Sequence, residues 1–474
     1  MTMLPIVLFW CLALWGLTSR KPVLIYLFFG TMSVGAFAAV PTALTGGLTF
    51  TATPIVALML ILRTFVNRSG PSTVLAYGVM PQRLMLLFLF WLVAAVTTMF
   101  MPRLFAGDAL VVPVRGVLSA TAPLRPTAQN LSQFAYVTIS VFTVFAFAKV
   151  MQAPVMRQHA LQAMCLGGFV TAATGFLDFT SQYLPLSPLL EPFRTASYAL
   201  ATSVEVLGSK RVVGLMPEAS AYGSHCLAFL CSIYFYRRAI VSNRVRNVYA
   251  PMVLGLLLVC AWLAKSSGTY VGVAIFIAVA AAEWLLRANV TEQRGAIYRR
   301  GLGGEMTVVV SIIIACLVLV IVTPQVLDAV FALIDRMVLQ KGESDSFAQR
   351  GMWRSVALAS LFDTYGFGVG LGSTRASSSL VAIASSTGLI GAMLFYGFLL
   401  QSLLRPTQGT PPETQLVISA FRFSFIPVFA VSLMTGDADF GGMVAFGFGI
   451  TTALTIVAVR ERDWFAGRRQ FSFG

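Results

Sequence analysis

Two short stretches hold cations at spacings that suit an anionic ligand. In "SFAQRGMWRSVALASLF", Ser346 to Phe362, Arg350 and Arg354 stand one helical turn apart with Trp353 between them. In "GSKRVVGLMPEAS", Gly208 to Ser220, Lys210 and Arg211 are adjacent and Glu218 lies further along. Arg375 follows a glycine-rich stretch, "GFGVGLGS", Gly366 to Ser373. Guanidinium forks pair bidentately with phosphate oxygens and stay charged at any working pH. A diphosphate needs several such donors arriving from more than one segment, and two separated stretches of paired cations can supply them. A nearby carboxylate, with Glu218 the best placed, could take the proton of an attacking hydroxyl. The competing reading is bland. The same cations could meet lipid phosphates, or pair with Glu218, Asp335, Glu343 or Asp345.

What must position these residues is a membrane protein. The chain of 474 residues is 57% hydrophobic and 11% charged, with a mean hydropathy of +0.82. Soluble domains run nearer ~45–50% apolar and ~25% charged. So much apolar surface does not fit one water-soluble core, and the repeated long apolar runs exclude a lone signal peptide ahead of a soluble domain. The net charge of +15 falls largely in short connections, where anionic headgroups and the positive-inside rule account for most of it. No zinc knuckle or aromatic-basic strand points to nucleic acid. Cys11, Cys165, Cys226, Cys231, Cys260 and Cys316 all lie in apolar runs without metal-like spacing and read as buried thiols.

At ~20 apolar residues per crossing, the expected class is an all-α polytopic membrane protein of about thirteen spans (twelve to fourteen), forming one domain over residues 1–474. The spans are expected near 3–18, 22–40, 48–66, 83–101, 134–151, 160–184, 221–237, 248–264, 267–286, 306–323, 378–403, 414–434 and 440–459. Arginines crowd the connections at 237–246 and 287–300 and the tail at 460–469. Alternation puts these three on one side, which is then cytoplasmic. The opposite side receives three longer connections, 102–133, 185–220 and 324–377. The third is the largest, and Val326–Leu339 and the Ser346–Phe362 stretch both read as amphipathic helices over the membrane. Lys210, Arg211, Arg350, Arg354 and Arg375 fall in these outer loops, against the usual charge bias.

Other residues carry weaker signals. "GDADFGG", Gly436 to Gly442, holds Asp437 and Asp439; two carboxylates at that spacing could hold a metal, but a turn and capping role fits better. "GFGVGLGS" lacks the lysine and preceding strand of a phosphate loop and reads as a flexible turn. Arg422 lies inside a span, which is costly unless it faces a cavity or snorkels; it is assigned to the path of a bound lipid. Asp178, near the outer end of its span, is placed to pair with an outer cation. His159 and His225 are the only histidines, and His225 reads as structural.

The second half of the chain resembles the superfamily of bacterial O-antigen ligases and Wzy-type polysaccharide polymerases. The segments carrying the resemblance are Lys210–Leu230, "WLAKSSGTYVGVAIFIAV" (Trp262–Val279), Gln349–Ser373 and "SSSLVAIASSTGLIGAMLFYGFLL" (Ser377–Leu400). It implies a GT-C-like helical glycosyltransferase that moves glycans from an undecaprenyl-pyrophosphate carrier at the periplasmic face of the bacterial inner membrane. By motif, Arg211 and Arg350 would be its essential outer-loop arginines and Arg354 an accessory; beside that carry-over, Lys210, Arg375, Trp353 and Arg422 are expected in substrate-binding roles from their own positions. Many members carry a histidine after the glycine turn, where this chain reads "STRASSSLV". That departure favours a polymerase, for an exopolysaccharide, over a ligase acting on lipid A-core. No cofactor and no metal is implied, because arginines can carry the leaving-group charge. The implied partners are the lipid-linked oligosaccharide, membrane lipids and a chain-length regulator. A lipid-linked oligosaccharide flippase or other transporter is the rival of a different class.

Overall fold

The computed structural model describes residues 3–288 and 345–471, apart from short gaps at 46–48, 67–69, 116–118, 199, 207 and 408; between 289 and 344 it describes only scattered residues and the turn Gln340–Glu343. The described chain is helical: α1 (Met3–Thr18), α2 (Val23–Thr31), α3 (Ala52–Phe65), α4 (Gly70–Val79), α5 (Met85–Leu104), α6 (Ala128–Val150), α7 (Pro154–Thr180), α8 (Ser187–Leu190), α9 (Ala219–Tyr236), α10 (Ala250–Leu263), α11 (Ser267–Ala288), α12 (Asp345–Asp363), α13 (Ser379–Leu403), α14 (Pro412–Thr435) and α15 (Gly441–Phe471). Two antiparallel hairpins interrupt the helices. One pairs β1 (Leu110–Val111) with β2 (Ala122–Pro123), the other β3 (Glu205–Val206) with β4 (Ser209–Lys210).

Among the described residues, eight helices are long and apolar enough to cross a membrane: α5, α6, α7, α10 with the turn before it, α11, α13, α14 and α15. The chain is therefore a multi-pass membrane protein. The expected spans that fall short do so for local reasons. The apolar run at 22–40 is helical only to Thr31, because the next residues turn to meet the 195–215 loop: Ala36 N–H donates to Leu215 (2.9 Å), and Thr195 and Ala196 donate to the Ala36 carbonyl. α1 and α3 are apolar but short. α9 spans 18 residues and carries serines, tyrosines and His225 among its apolar positions. The expected span 306–323 and the expected amphipathic helix at 326–339 lie outside the continuously described residues. The second expected amphipathic helix is present as α12.

The helices share one core of phenylalanines. Phe28, Phe147 and Phe446 meet edge to face at centroid distances of 5.1–5.3 Å, the geometry that aligns ring edges with ring faces. Charges near one end of the bundle are matched. Arg157 forms a fork with Glu413 (2.9 Å to each oxygen), and Arg238 and Arg287 converge on buried Glu283 (2.6 and 2.5 Å). Gln158, one residue from Arg157, bonds the Ala239 carbonyl (3.0 Å), which puts both clusters at the same end. Arg460 reaches Gln152 there too (3.0 Å).

At the other end the glycine-rich stretch is not a flexible turn. Gly366, Gly368, Gly370 and Gly372 all have positive φ, which gives a narrow ribbon inlaid between α5, α6 and α13. Val369 donates to Ser385 (2.7 Å) and Leu389 to Gly366 (2.9 Å). α13 breaks at Gly388 (φ 73°, ψ 176°) to receive the ribbon. A Cβ on Gly368 would stand 2.6 Å from the Gly388 nitrogen and 2.8 Å from the Ser385 oxygen. Asn130, at the start of α6, donates to Leu371 (2.8 Å) and Ser373 (2.7 Å). The ribbon thus fixes where α12 ends and where α13 begins.

Gly368→Ala should lower stability by about 2 kcal/mol or more, from left-handed strain and backbone crowding together. Gly351→Ala, on α12 with open space around it, should instead be neutral or stabilising by about 0.5–1 kcal/mol. Thermal unfolding of the detergent-purified protein would check both; equal effects would mean that the ribbon is not tightly held.

Candidate functional site

The site is built outward from Asp178, in the last turn of α7. Its carboxylate is fully buried and accepts four hydrogen bonds. Oδ2 takes the N–H groups of Val213 (2.8 Å) and Gly214 (3.1 Å); Oδ1 takes Arg194 (3.0 Å) and Lys210 (3.1 Å). A buried carboxylate is tolerable only when paired and fully hydrogen-bonded. The loop from Lys210 to Gly214 is thereby wrapped around it, which leaves Arg211 facing the other way. The Arg211 backbone N–H donates to Val204 (3.0 Å), and its Nε donates to the Ala264 carbonyl just past the end of α10 (3.1 Å).

Arg350 comes from a separate frame. It sits on α12, and the Ser377 hydroxyl donates to the Arg350 carbonyl (2.7 Å), tying the helix to the step before α13. Trp353, one turn along, stacks under the Arg375 guanidinium at 5.3 Å. Arg375 is itself pinned to the segment that follows β1: its N–H donates to Val112 (2.8 Å) and its guanidinium to Pro113 (3.2 Å) and Val114.

Arg211 and Arg350 both line one open cavity of about 1080 Å³. Its wall includes Glu205, Glu218, Trp353 and His225, and it is rich in hydroxyls: Ser220, Ser224, Ser266, Ser267, Ser377, Ser432 and Thr435. Met216, Leu227, Val428 and Val431 add apolar surface. Burial draws Arg211 below the ordinary guanidinium value; Glu218 opposes that shift and the Arg350 charge adds to it. The two arginines are thus close enough to repel. Among the described residues the Arg350 guanidinium makes no hydrogen bond or ion pair, and Arg211 uses only its Nε. The Glu218 carboxylate accepts from the Ser220 hydroxyl, and among the described residues it forms no ion pair. The cavity can therefore take a phosphate-bearing, hydroxyl-rich ligand.

Of the residues singled out in the sequence, Arg211, Arg350, Glu218 and Trp353 are brought together. Lys210 is spent on Asp178, the ion pair expected for that aspartate. Arg354 is exposed on α12 and does not line the cavity. Arg375 acts from behind, through Trp353. Arg422 is a correction. It lies away from the cavity and donates to the Leu403 (2.7 Å) and Arg405 (2.6 Å) carbonyls at the end of α13. The last carbonyls of a helix lack intrahelical partners, so a guanidinium inside the bundle finds its acceptors there rather than on a lipid. Asp437 and Asp439 accept from Ala438 (2.7 Å) and Gly441 (3.2 Å), the turn role expected of them.

Sequence reasoning passed over Lys265 and the serine rim. Lys265 has φ +44° and sends its ammonium to the Val206 carbonyl (2.9 Å), bracing the β3–β4 hairpin beside Arg211. The sequence signal was present in "AKSSG", where the lysine adjoins two cavity serines. It also passed over a second chamber of about 320 Å³, which shares Met216, His225 and Val428 with the main cavity. Asp439 keeps part of its surface on that chamber while protein encloses the rest. Burial lifts its carboxyl to about 6, against hydrogen bonds from Ser140 and Gly441; Asp437 adds to the rise. No protein-family model matches the chain, and no curated protein does either.

Asp178→Asn leaves Arg194 and Lys210 facing a neutral amide and should destabilise the protein by about 3 kcal/mol or more. Thermal melts would register this, and a melt within a degree of wild type would sink the anchoring role. For Asp439 the folded carboxyl holds its proton at pH values where the unfolded one has lost it. Its contribution is therefore present below the ordinary carboxyl value of 3.8 and is lost as pH rises to about 6. Melting temperature should fall more steeply across that window in wild type than in Asp439→Asn.

Proposed function

We propose that this protein is a bacterial glycosyltransferase that polymerises a surface or exopolysaccharide from an undecaprenyl-pyrophosphate-linked repeat unit at the periplasmic face of the inner membrane. The observation that carries the reading is the pair Arg211 and Arg350. They arrive on independent frames, face one hydroxyl-rimmed cavity, and leave guanidinium nitrogens without protein partners among the described residues. The finer topology belongs to the same reading: thirteen crossings, a GT-C-like arrangement, the arginine-rich end in the cytoplasm and the cavity outside. The sequence resemblance supports it from a separate direction.

Breaking a sugar–pyrophosphate bond puts negative charge on the departing diphosphate. Arginines held in place before the reaction stabilise that charge without reorganising, and they do so more strongly beside a low-dielectric membrane boundary. Arg211 and Arg350 clamp the diphosphate, and Trp353, backed by Arg375, holds the α12 side of the clamp. The acceptor hydroxyl attacks the anomeric carbon from the opposite face and inverts it, with Glu218 as the base nearest to Arg211 in the cavity wall. A ligase acting on lipid A-core would use the same clamp. His225 on the cavity wall keeps that second reading alive, since the site has an imidazole although the stretch after the glycine ribbon has none.

Arg350→Ala should cut polymer formation by about 10²–10³-fold or more, the usual loss on removing a charge-stabilising donor. Arg350→Lys should rescue only part, because an ammonium cannot fork. Polymer length analysis together with lipid-linked intermediates would check this. Single repeat units should accumulate on the outer face of the membrane; trapping on the inner face would indicate a flippase, and normal polymer from Arg350→Ala would end the assignment.

A further inference from the structure

The second chamber differs from the cavity it adjoins. Among its described lining residues there is no arginine or lysine, and Asp439 is the one carboxylate. Around it stand the hydroxyl groups of Tyr136, Ser140 and Thr143 and the rings of Phe28, Phe229 and Phe440. Tyr136 is held by its own bond to the Thr49 carbonyl (2.9 Å). The volume of about 320 Å³ lies at the small end of the ~300–1,000 Å³ range of small-molecule sites. A carboxylate, fixed hydroxyls and aromatic faces together suit a ring that is polar at its edge and apolar on its face. The lone carboxylate disfavours phosphates and acidic sugars. Met216, His225 and Val428 belong to both walls, so a ring in the chamber abuts whatever the arginines hold.

We infer that this chamber is the acceptor subsite, taking one neutral sugar ring with Asp439 accepting hydrogen bonds from its hydroxyls. The inference rests on the polymerase reading for the word acceptor, but the sugar site can be tested apart from it. His225, at the shared wall, lies between the bound ring and the arginine cavity. The carboxylate selects against a uronic acid at this position and leaves the rest of the glycan unconstrained.

The test uses the full chain in nanodiscs, with methyl glycosides of glucose, galactose, rhamnose and N-acetylglucosamine, methyl glucuronide, and inorganic pyrophosphate as separate probes. Saturation-transfer NMR and calorimetry report binding. At least one neutral glycoside should bind and the glucuronide should not. Asp439→Asn and, independently, Ala228→Leu, which fills the chamber from α9, should each weaken that glycoside by tenfold or more. Both variants should bind pyrophosphate as wild type does, which also shows that they fold, while Arg350→Ala should lose pyrophosphate and keep the sugar. Glycoside binding indifferent to both chamber substitutions overturns the inference, as does a protein that binds pyrophosphate but no neutral glycoside. Sugar binding without pyrophosphate binding would instead support the chamber and overturn the diphosphate clamp.

Discussion

The arrangement of the site depends on one buried carboxylate. Asp178 stands at the end of a long apolar helix, where an ionised group without partners would cost several kcal/mol. Two backbone N–H groups and two cations converge on it, and three of those four donors belong to the segment Lys210–Gly214. A loop that would otherwise wander over the membrane surface is thereby bound at consecutive points. Arg211 is inside that segment and takes no part in the binding, so its position follows from its neighbours. The constraint separates two jobs that adjacent cations in the sequence do not distinguish: Lys210 holds the loop, and Arg211 faces the cavity.

The second arginine is placed by different means. Arg350 rides on α12, and α12 is located by what comes after it. The glycine ribbon threads a slot that α13 opens by breaking at Gly388, and the β1–β2 hairpin packs Val111 and Leu124 against Val369 of the ribbon. The segment after β1 grips Arg375, which stacks on Trp353. The connections at 102–133, 185–220 and 345–377 therefore all bear on one cavity, the first of them through Arg375. None of these contacts is strong alone, but the ribbon's backbone bonds to α13 and its close approach to Gly388 make it a fixed link where the sequence suggested a flexible turn.

Much of this was legible in the sequence, and the limits have physical causes. Long apolar runs gave α5, α10, α11, α13 and α14 to within about three residues and the starts of α6 and α7 to within six, while α15 begins where expected and runs on to Phe471, because about twenty apolar residues in succession have few other uses. The run at 22–40 is helical only to Thr31, because apolarity does not reveal that Ala36 will bond the 195–215 loop, and the run at 48–66 gives the shorter apolar helix Ala52–Phe65. Four of the eight residues expected at the site, Arg211, Arg350, Glu218 and Trp353, line the cavity, because the two charged stretches that carry them are brought to one wall. Arg422 was misplaced because a sequence shows the cost of a charge inside a helix but not the carbonyls of a neighbouring helix end. Apart from the pair in "AKSSG", the serine rim was illegible, as was the second chamber. Single hydroxyls on apolar helices have no period, and they acquire meaning only when α9, α11, α14 and the step before α13 bring them to one wall.

The treatment of arginine across the molecule separates scaffold from site. Arg157 has Glu413, Arg238 and Arg287 share Glu283, Arg405 donates to Thr452 and Arg422 caps α13. Each of these guanidinium groups reaches into the bundle, and each is met by an acceptor. Arg350 is half-buried, as Arg422 is, with Glu218 and Glu205 on the same cavity wall, yet among the described residues it is met by none. The chain has the means to neutralise it, and does so for a buried aspartate only a few residues of loop away. At Arg211 the charge of Glu218 more than offsets the repulsion from Arg350, but Arg350 itself has no acceptor among the described residues, and an anion from outside the chain would supply one. A half-buried guanidinium left without a protein acceptor, beside a second one, is a physical reason to look for an anionic ligand here.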